Sequence, residues 1–229
     1  MDEQKKGLFV VFEGIDGTGK TSLIKMLKAI LEQEKYSIVV LKEPTNETEA
    51  GSKIRESYDT GRVPFEEELQ WFIDDREWNV NANILPALKE GHIILQDRYF
   101  FSNASYQGVR KNDDWASIIA INRTMFPEPD LTIIIDVEPE IALERITKDR
   151  VKENSFEALE NLRKVRNLFL EIANYDIDGN FLLIDGSKTL EEIAEEIHLN
   201  IQELIAQLQP KFKKKEKQNK IDYEQGPKC

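Results

Sequence analysis

Short apolar runs recur along the chain, and most of them end at a glycine, a proline or a charged residue. A continuous apolar run of this length is typical of a strand that is buried on both faces of a sheet. The runs are Leu8–Phe12, Ser37–Leu41, His92–Gln96, Leu131–Ile135 and Phe181–Ile184. They predict five strands.

Between these runs, apolar residues recur every three or four positions, which predicts amphipathic helices. The first helix follows Thr21. A longer one spans 65–89, with a kink at Pro86 and an end at Gly91, because proline interrupts the helical hydrogen bonds and glycine accepts the left-handed conformation of a helix end. Further helices are predicted from about Ser102, from Pro139 and after the capping-box sequence Thr189–Glu192.

Strands that alternate with helices predict an α/β fold, a five-stranded parallel sheet with helices on both faces. We expect one such domain over 1–209. Ligands of these sheets bind beyond the carboxyl ends of the strands. The glycine-rich stretch after the first run, Glu43–Pro44 and Asp97–Arg98 all fall at such ends. Residues 210–229 are rich in lysine and lack apolar periodicity, so we predict a disordered tail there.

Charge and composition indicate which kinds of binding partner the chain does not have. The 229 residues carry a formal net charge of −12, and an acidic body repels nucleic acid, so we expect no nucleic acid as a partner. No apolar run is long enough to span a bilayer, so we expect no membrane partner either. The single cysteine, Cys229, cannot form an internal disulfide, which fits a cytoplasmic protein.

The stretch after the first run matches the phosphate-binding P-loop pattern, Gly-x-x-x-x-Gly-Lys-Thr, between a predicted strand and a predicted helix. Its glycines allow backbone N–H groups to turn toward phosphate oxygens at the positive end of the helix. We expect Lys20 to reach the β- and γ-phosphates of ATP and Thr21 to bind Mg²⁺. The predicted nucleotide-binding residues are Gly14, Ile15, Asp16, Gly17, Thr18, Gly19, Lys20 and Thr21. The alternative, a glycine-rich turn that matches by chance, leaves the flanking strand and helix unexplained.

Two further segments match sequence patterns of GTPases, but they do not lie where a GTPase has these motifs. Asn219–Asp222 has the guanine-reading sequence Asn-Lys-x-Asp, yet it lies in the lysine-rich tail and follows no strand. Asp176–Gly179 fits Asp-x-x-Gly but comes after the fourth strand, far from the P-loop. We interpret both matches as accidental.

Candidate acceptor-binding residues lie on the long helix and after the third strand. Phe72 and Arg76 are spaced i, i+4 and share one helix face, where a ring can stack on a base and a guanidinium can donate to a carbonyl. The structural alternative is core packing for Phe72 and an ion pair with Asp75 or another neighbouring acid for Arg76. Asp97 is suited to ordering Mg²⁺ or its water shell, and Arg98 to facing the phosphates.

A polar stretch after the fourth strand predicts a short lid at about 145–155. Its cations are Arg145, Lys148 and Arg150, and closure would bring one of them to the transferring phosphoryl group. The alternative is an ordinary solvated helix face.

Taken in order, these pieces resemble thymidylate kinase, of the nucleoside monophosphate kinase group, over roughly 8–205. The segments that carry the resemblance are Phe12–Thr21, Glu43–Pro44, Phe72-x-x-x-Arg76, Asp97–Tyr99, Ser102-x-Ala-x-Tyr-Gln-Gly108, Pro129–Thr132, Asp136–Pro139 and Phe156–Glu157. The resemblance implies phosphorylation of dTMP by ATP with Mg²⁺, and a homodimer.

The family's residue roles are carried over by position. The resemblance implies that Phe72 stacks on thymine and that Arg76 reads a ring carbonyl. Asp16 would contact the deoxyribose 3′-hydroxyl, Tyr106 would disfavour a 2′-hydroxyl, and Arg98 would bridge the donor and acceptor phosphates. Ser102 and Gln107, in the matching segment after the third strand, complete the predicted substrate-binding set.

The chain departs from the family pattern at two places. Some members carry a basic residue inside the P-loop where this chain has Gly17, so the lid residue Arg150 would join Lys20 and Arg98 as a catalytic cation. Many members have a glycine pair where this chain has Thr45–Asn46. The acceptor choice therefore has alternatives, namely dUMP, UMP or a nucleoside, and a non-catalytic nucleotide-binding module is the alternative from another class.

Overall fold

The structure is a computed structural model that describes residues 7–61, 63–112, 114–147, 155–175 and 180–208. Its centre is a sheet of five parallel strands in the order β2-β3-β1-β4-β5. The strands are β1 (Leu8–Glu13), β2 (Ile38–Lys42), β3 (Ile93–Asp97), β4 (Leu131–Asp136) and β5 (Phe181–Asp185). The predicted fold class is confirmed, and so are all five predicted strands.

Each strand continues one residue past its apolar run, to a charged side chain at the carboxyl edge of the sheet. Strands β1 and β3 are buried along their whole length, because helices cover both faces at the middle of the sheet. In the register of the sheet, Phe12 of β1 and Lys42 of β2 both lie beside Asp97 of β3. The segments that follow β1, β2 and β3 therefore start side by side.

The helices that the sequence predicts are present. Helix α1 (Lys20–Gln33) begins at the end of the P-loop, and α7 (Pro139–Thr147) begins at the proline that the sequence favours there. Helix α9 (Leu190–Leu208) starts with the predicted capping box. The backbone N–H of Thr189 donates to Glu192 Oε2 at 2.9 Å, and the N–H of Glu192 donates to Thr189 Oγ1 at 3.3 Å.

The long predicted helix is divided into three parts: α3 (Phe65–Asn79), a π-helical segment Val80–Ile84, and α4 (Leu85–Glu90). It ends at Gly91 (φ 88°) as predicted, but the irregularity precedes Pro86 instead of lying at it. Proline has no N–H to donate and its ring crowds the carbonyl four residues earlier, and a widened π turn just before it accommodates both effects.

Three helices have no counterpart in the sequence prediction, namely α2 (Glu49–Thr60), α6 (Trp115–Met125) and α8 (Ser155–Tyr175). Helix α5 (Phe100–Gly108) begins slightly before the predicted position. Side chains cap two of these helices, since Thr48 accepts from the N–H of Gly51 and Asp114 accepts from the N–H of Ser117. No helix among the described residues is long and apolar enough to cross a membrane.

Candidate active site

The P-loop connects the buried end of β1 to α1, and its path depends on glycine. Gly14, Gly17 and Gly19 have φ values of 129°, 84° and 90°, in the left-handed range that side chains disfavour. A Cβ on Gly14 would lie 2.6 Å from the carbonyl oxygen of Ile135, and one on Gly17 would lie 2.4 Å from that of Ala142. The loop is therefore packed against β4 and α7 with no room for side chains at these two positions.

Lys20 is buried inside the loop. Its Nζ donates to the carbonyl oxygens of Gly14 and Ile15, both at 2.9 Å, and to Thr18 Oγ1 at 3.3 Å. Burial, together with the neighbouring Arg98 cation, lowers the pKa of Lys20 to about 7, against the opposite effect of nearby carboxylates. A phosphate chain beside Lys20 would supply the negative charge that favours its ammonium form.

Thr21 and Asp97, the two predicted magnesium-binding residues, are in contact with each other. The Thr21 hydroxyl donates to Asp97 Oδ2 at 3.1 Å, while Asp97 Oδ1 is buried and has no hydrogen-bond partner among the described residues. A hydroxyl and a carboxylate are oxygen ligands of the kind that Mg²⁺ prefers, with phosphate and water oxygens completing its shell. The residues present therefore fit the ion.

Arg98 lies between the P-loop and α5 in an unusual backbone conformation, with φ at 68°. Its N–H donates to the carbonyl of Phe12 at 3.0 Å, and its own carbonyl accepts from Gln96 Nε2 at 2.8 Å. The guanidinium donates to Asp16 Oδ1 at 2.7 Å and to Ser102 Oγ at 2.9 Å. The Arg98 cation in turn lowers the pKa of Asp16.

Tyr106 completes this group of predicted site residues. Its ring lies 5.1 Å from the Arg98 guanidinium carbon, and its hydroxyl donates to Asp16 Oδ2 at 3.3 Å. Burial raises the pKa of the Tyr106 phenol, so it stays a neutral hydrogen-bond donor. The structure thus brings together residues from the P-loop, the β3 end and α5.

Glu13, the last residue of β1, supports this arrangement, and the sequence interpretation assigned it no role. Its Oε1 accepts from the N–H groups of Tyr99 (2.8 Å) and Ser102 (3.2 Å), and its Oε2 accepts from the Ser102 hydroxyl. Complete burial raises the pKa of Glu13 to about 7, although Ser102 and the Arg98 cation act in the opposite direction. A buried carboxylate therefore caps the start of α5 and holds the hydroxyl that contacts Arg98.

A cavity of about 1110 Å³ opens beside this group. The predicted substrate-binding residues all lie on its wall: Asp16, Phe72, Arg76, Arg98, Ser102, Tyr106 and Gln107. One end of the cavity meets the P-loop at Asp16 and Gly17, and the other end is formed by α2, α3 and the β2–α2 loop. The structure brings these residues together, and their individual contacts with substrate stay predictions.

Arg76 is almost fully buried at the α3 wall of the cavity. Its Nε donates to Glu43 Oε2 at 2.9 Å, its Nη1 to Asn122 Oδ1 at 2.7 Å and its Nη2 to Asn103 Oδ1 at 2.5 Å. The acid that pairs with Arg76 is Glu43, from the end of β2, at 2.7 Å from Nη2. Burial raises the pKa of the Glu43 carboxyl group, and the Arg76 cation opposes that shift.

The neighbouring acid on α3, Asp75, instead fixes the loop that follows β2. Its carboxylate accepts from the backbone N–H of Thr45 at 2.8 Å, from the Thr45 hydroxyl at 2.6 Å and from the Thr48 hydroxyl. Thr45 is one of the two residues at which the chain departs from the family's glycine pair. Its hydroxyl is used to attach the loop to α3.

The lid cations are only partly described. Arg145, on α7, lies beside the P-loop, with Nη1 3.4 Å from the carbonyl oxygen of Gly17 and Nη2 3.5 Å from that of Gly186. Lys148 and Arg150 lie outside the described residues, as do most of the predicted lid and the whole predicted tail. The catalytic role of Arg150 and the domain limits therefore stay predictions.

Known proteins are similar in sequence to this chain from the P-loop to α9. The family model described as thymidylate kinase matches residues 12–197. The chain belongs to the thymidylate kinase family. A probable thymidylate kinase of Archaeoglobus fulgidus is 44% identical over 198 residues, which cover 86% of this chain and 96% of that protein. A thymidylate kinase of Leptospira interrogans is 36% identical over 199 residues, covering 85% and 93% of the two chains. One from Xanthomonas campestris is 36% identical over 192 residues, covering 84% and 82%.

The extent of the match agrees with the geometry of the site. Residues 12–197 include the P-loop, Asp97–Arg98 and every predicted substrate-binding residue on the cavity wall. The resemblance to the thymidylate kinase family is confirmed. The GTPase-like sequence Asn219–Asp222 lies outside the matched region.

Proposed function

We propose that this chain transfers the γ-phosphoryl group of ATP to the 5′-phosphate of dTMP and so forms dTDP. The observation that carries the proposal is the position of Arg98, which contacts Asp16 of the P-loop and Ser102 of α5 at once. A donor nucleotide on the P-loop and an acceptor in the cavity would meet at that guanidinium. Every relative named above is itself called a thymidylate kinase or a probable one.

Transfer between two phosphates needs no protein base. The second pKa of a phosphate monoester is near 6, so the acceptor oxygens are ionised at neutral pH. The barrier is the repulsion between two polyanions that must approach in line, and cations placed between them offset it. Lys20, Arg98 and Arg150 are the proposed catalytic cations.

The remaining groups bind and orient the nucleotides. Mg²⁺, held by Thr21 and ordered by Asp97, would neutralise charge on the phosphates of ATP. Glu13 fixes the Ser102 hydroxyl and, through it, the Arg98 guanidinium. Closure of the lid over the site would exclude water and suppress hydrolysis of ATP.

The acceptor is held on the opposite wall. Phe72 would stack on thymine and Arg76 would donate to a ring carbonyl. Asp16 would accept from the 3′-hydroxyl, while Tyr106 would crowd a 2′-hydroxyl and so favour deoxyribose. Gln107 lines the same wall. Dimerisation with a second copy and a cytoplasmic location are further parts of the proposal, and they rest on the family resemblance and the single cysteine.

Turnover with ATP against dTMP, dUMP, UMP and dCMP tests the proposal directly. We expect the highest kcat/KM for dTMP, measured by coupled detection of ADP. A higher kcat/KM for UMP would replace dTMP as the acceptor, and binding of nucleotides without turnover would favour the non-catalytic alternative.

A further inference from the structure

A chain of hydrogen bonds runs from a buried carboxylate to the Arg76 guanidinium. Glu68, which is completely buried on α3, accepts from Gln107 Nε2 at 3.3 Å. Gln107 Oε1 accepts from Asn103 Nδ2 at 3.3 Å, and Asn103 Oδ1 accepts from Arg76 Nη2 at 2.5 Å. Two amide side chains thus connect the carboxylate to the guanidinium.

The direction of these bonds follows from the carboxylate. An ionised carboxylate only accepts hydrogen bonds, so the Gln107 amide must turn its NH₂ group toward Glu68 and its oxygen toward Asn103. Asn103 must then donate to Gln107, which leaves its oxygen for Arg76. Arg110 Nη1 donates to the same carboxylate oxygen, in an ion pair with Glu68.

The other acceptors around Arg76 are fixed in the same way. Asn122 Nδ2 donates to the carbonyl of Ile118 at 2.8 Å, so the Asn122 oxygen must face Arg76 Nη1. The Glu43 carboxylate accepts from Nε and pairs with Nη2. A guanidinium has five N–H groups, and these contacts engage four of them, which leaves one on Nη1 without an acceptor among the described residues.

A single hydrogen-bond donor of fixed orientation can distinguish pyrimidines by the group that they carry at one ring position. Thymine and uracil carry a carbonyl oxygen at the ring position where cytosine carries an amino group, and a buried donor that meets an amino group stays unpaired. If the amides were reversed, the Asn103 NH₂ group would face Arg76 Nη2, donor against donor. Arg76 Nη2 would then lose one of its acceptors, and the guanidinium would be oriented by Glu43 and Asn122 alone.

We propose that Glu68 is a positioning residue that sets the hydrogen-bond direction of this wall, through Gln107 and Asn103, and so makes the cavity select a carbonyl-bearing pyrimidine over cytosine. The inference rests on the proposed function, because it takes a pyrimidine nucleotide as the acceptor. It extends that function to a residue that is connected to Arg76 through two other side chains.

Two variants change the direction of the bonds to different degrees. Glu68→Gln keeps the size of the side chain but can offer either an oxygen or an NH₂ group to Gln107. The exchange Glu68→Lys with Arg110→Glu keeps a buried ion pair of the same net charge but offers Gln107 only donors. A role of Glu68 in charge balance alone would survive the exchange, whereas a role in direction would not.

The measurement is the ratio of kcat/KM for dTMP to that for dCMP, together with the KM for ATP and the melting temperature. We expect the ratio to fall about threefold in Glu68→Gln and about tenfold in the exchange variant, mainly through the KM for dTMP, since a hydrogen bond to a charged group is lost. The KM for ATP should stay within about twofold, because the P-loop is untouched. Glu67→Gln, an exposed acid at the next position of the same helix, is the matched control and should leave the ratio unchanged.

An unchanged ratio in Glu68→Gln would overturn the proposal, whether or not the exchange variant folds. Equal rises in the KM values for ATP and dTMP would also overturn it, since they indicate a general structural role. If the wild type does not phosphorylate dTMP, the proposed function fails separately. The dissociation constants of dTMP and dCMP, measured by calorimetry, then still test the role of Glu68.

Discussion

The two ends of the cavity are built in different ways. The phosphate side, which consists of the P-loop with Asp97 and Arg98, uses short pieces of chain at the ends of neighbouring strands. The base side, which consists of Phe72, Arg76 and the polar groups around Arg76, is assembled from the residue after β2 and from α3, α5 and α6. Both sides contain a buried cation. At Lys20 that cation is partnered by backbone carbonyls within its own loop, while at Arg76 it is partnered by side chains from three other elements.

This difference predicts that the two sides contribute differently to turnover and to stability. Burial lowers the pKa of Lys20, so the folded protein gains little from the Lys20 charge before phosphate arrives. Arg76, by contrast, neutralises the buried Glu43 and satisfies two buried amides, so it contributes to stability in the free protein. We therefore expect substitutions on the phosphate side to affect turnover and those on the base side to affect binding and stability.

The largest expected effect is on the phosphate side. Lys20→Met should lower kcat by roughly a thousandfold or more, because a preorganised cation at the transferring phosphoryl group is removed. The unfolding free energy, measured by urea denaturation, should stay within about 1 kcal/mol, because a buried and poorly neutralised ammonium is replaced by an apolar side chain. Near-normal turnover would contradict the catalytic role of Lys20. A loss of several kcal/mol in unfolding free energy would show that Lys20 also stabilises the free protein, as Arg76 is expected to do.

The base side should respond in the opposite way. Arg76→Ala leaves the Glu43 carboxylate buried without its cation, which should cost roughly 3–5 kcal/mol in unfolding free energy. The KM for dTMP should rise by at least about tenfold, while the KM for ATP should change little. A parallel rise of both KM values in steady-state kinetics would show that Arg76 does not read the acceptor base. Glu77→Ala, an exposed neighbour on α3, is the control.

The smallest effect concerns Glu13 and the dependence of stability on pH. The pKa of Glu13 is raised from 4.5 to about 7 by burial, so the folded state holds this proton more tightly than the unfolded state. Its contribution to stability is complete below about pH 4.5 and is lost as the pH rises through about 7, by at most about 3 kcal/mol. Glu13→Gln cannot ionise, so it should lose less stability than the wild type between pH 5 and pH 8, as measured by urea denaturation at each pH. Parallel curves for the two proteins would contradict the raised pKa.

The phosphate side could be predicted from the sequence because its signals are local. Five apolar runs fix the strands, and the P-loop pattern spans eight consecutive positions between one strand and one helix. Asp97 and Arg98 follow a strand directly, and the register of a parallel sheet brings its strand ends together. A site that is built at strand ends can therefore be predicted from a single sequence.

The partners on the base side left no such signal. Arg76 bonds to residues 27, 33 and 46 positions away. The same holds for Glu13 beside the phosphate side, which bonds to residues 86 and 89 positions away. A buried polar contact of this kind joins residues with no common spacing, so no pattern in either segment indicates it. The sequence suggested an acid beside Arg76, and the structure supplies Glu43 from a different element. Helices α2 and α6 were missed together with the residues they position.

The tight contact between Gly17 and the carbonyl of Ala142 restricts how the sequence can change over time. A basic side chain at position 17 would add a charge inside the P-loop, but its Cβ would collide with the backbone of α7. Such a replacement would first need a compensating shift of that helix, so the order of mutations matters. A side chain introduced at position 17 before that shift would displace the P-loop from its contact with α7.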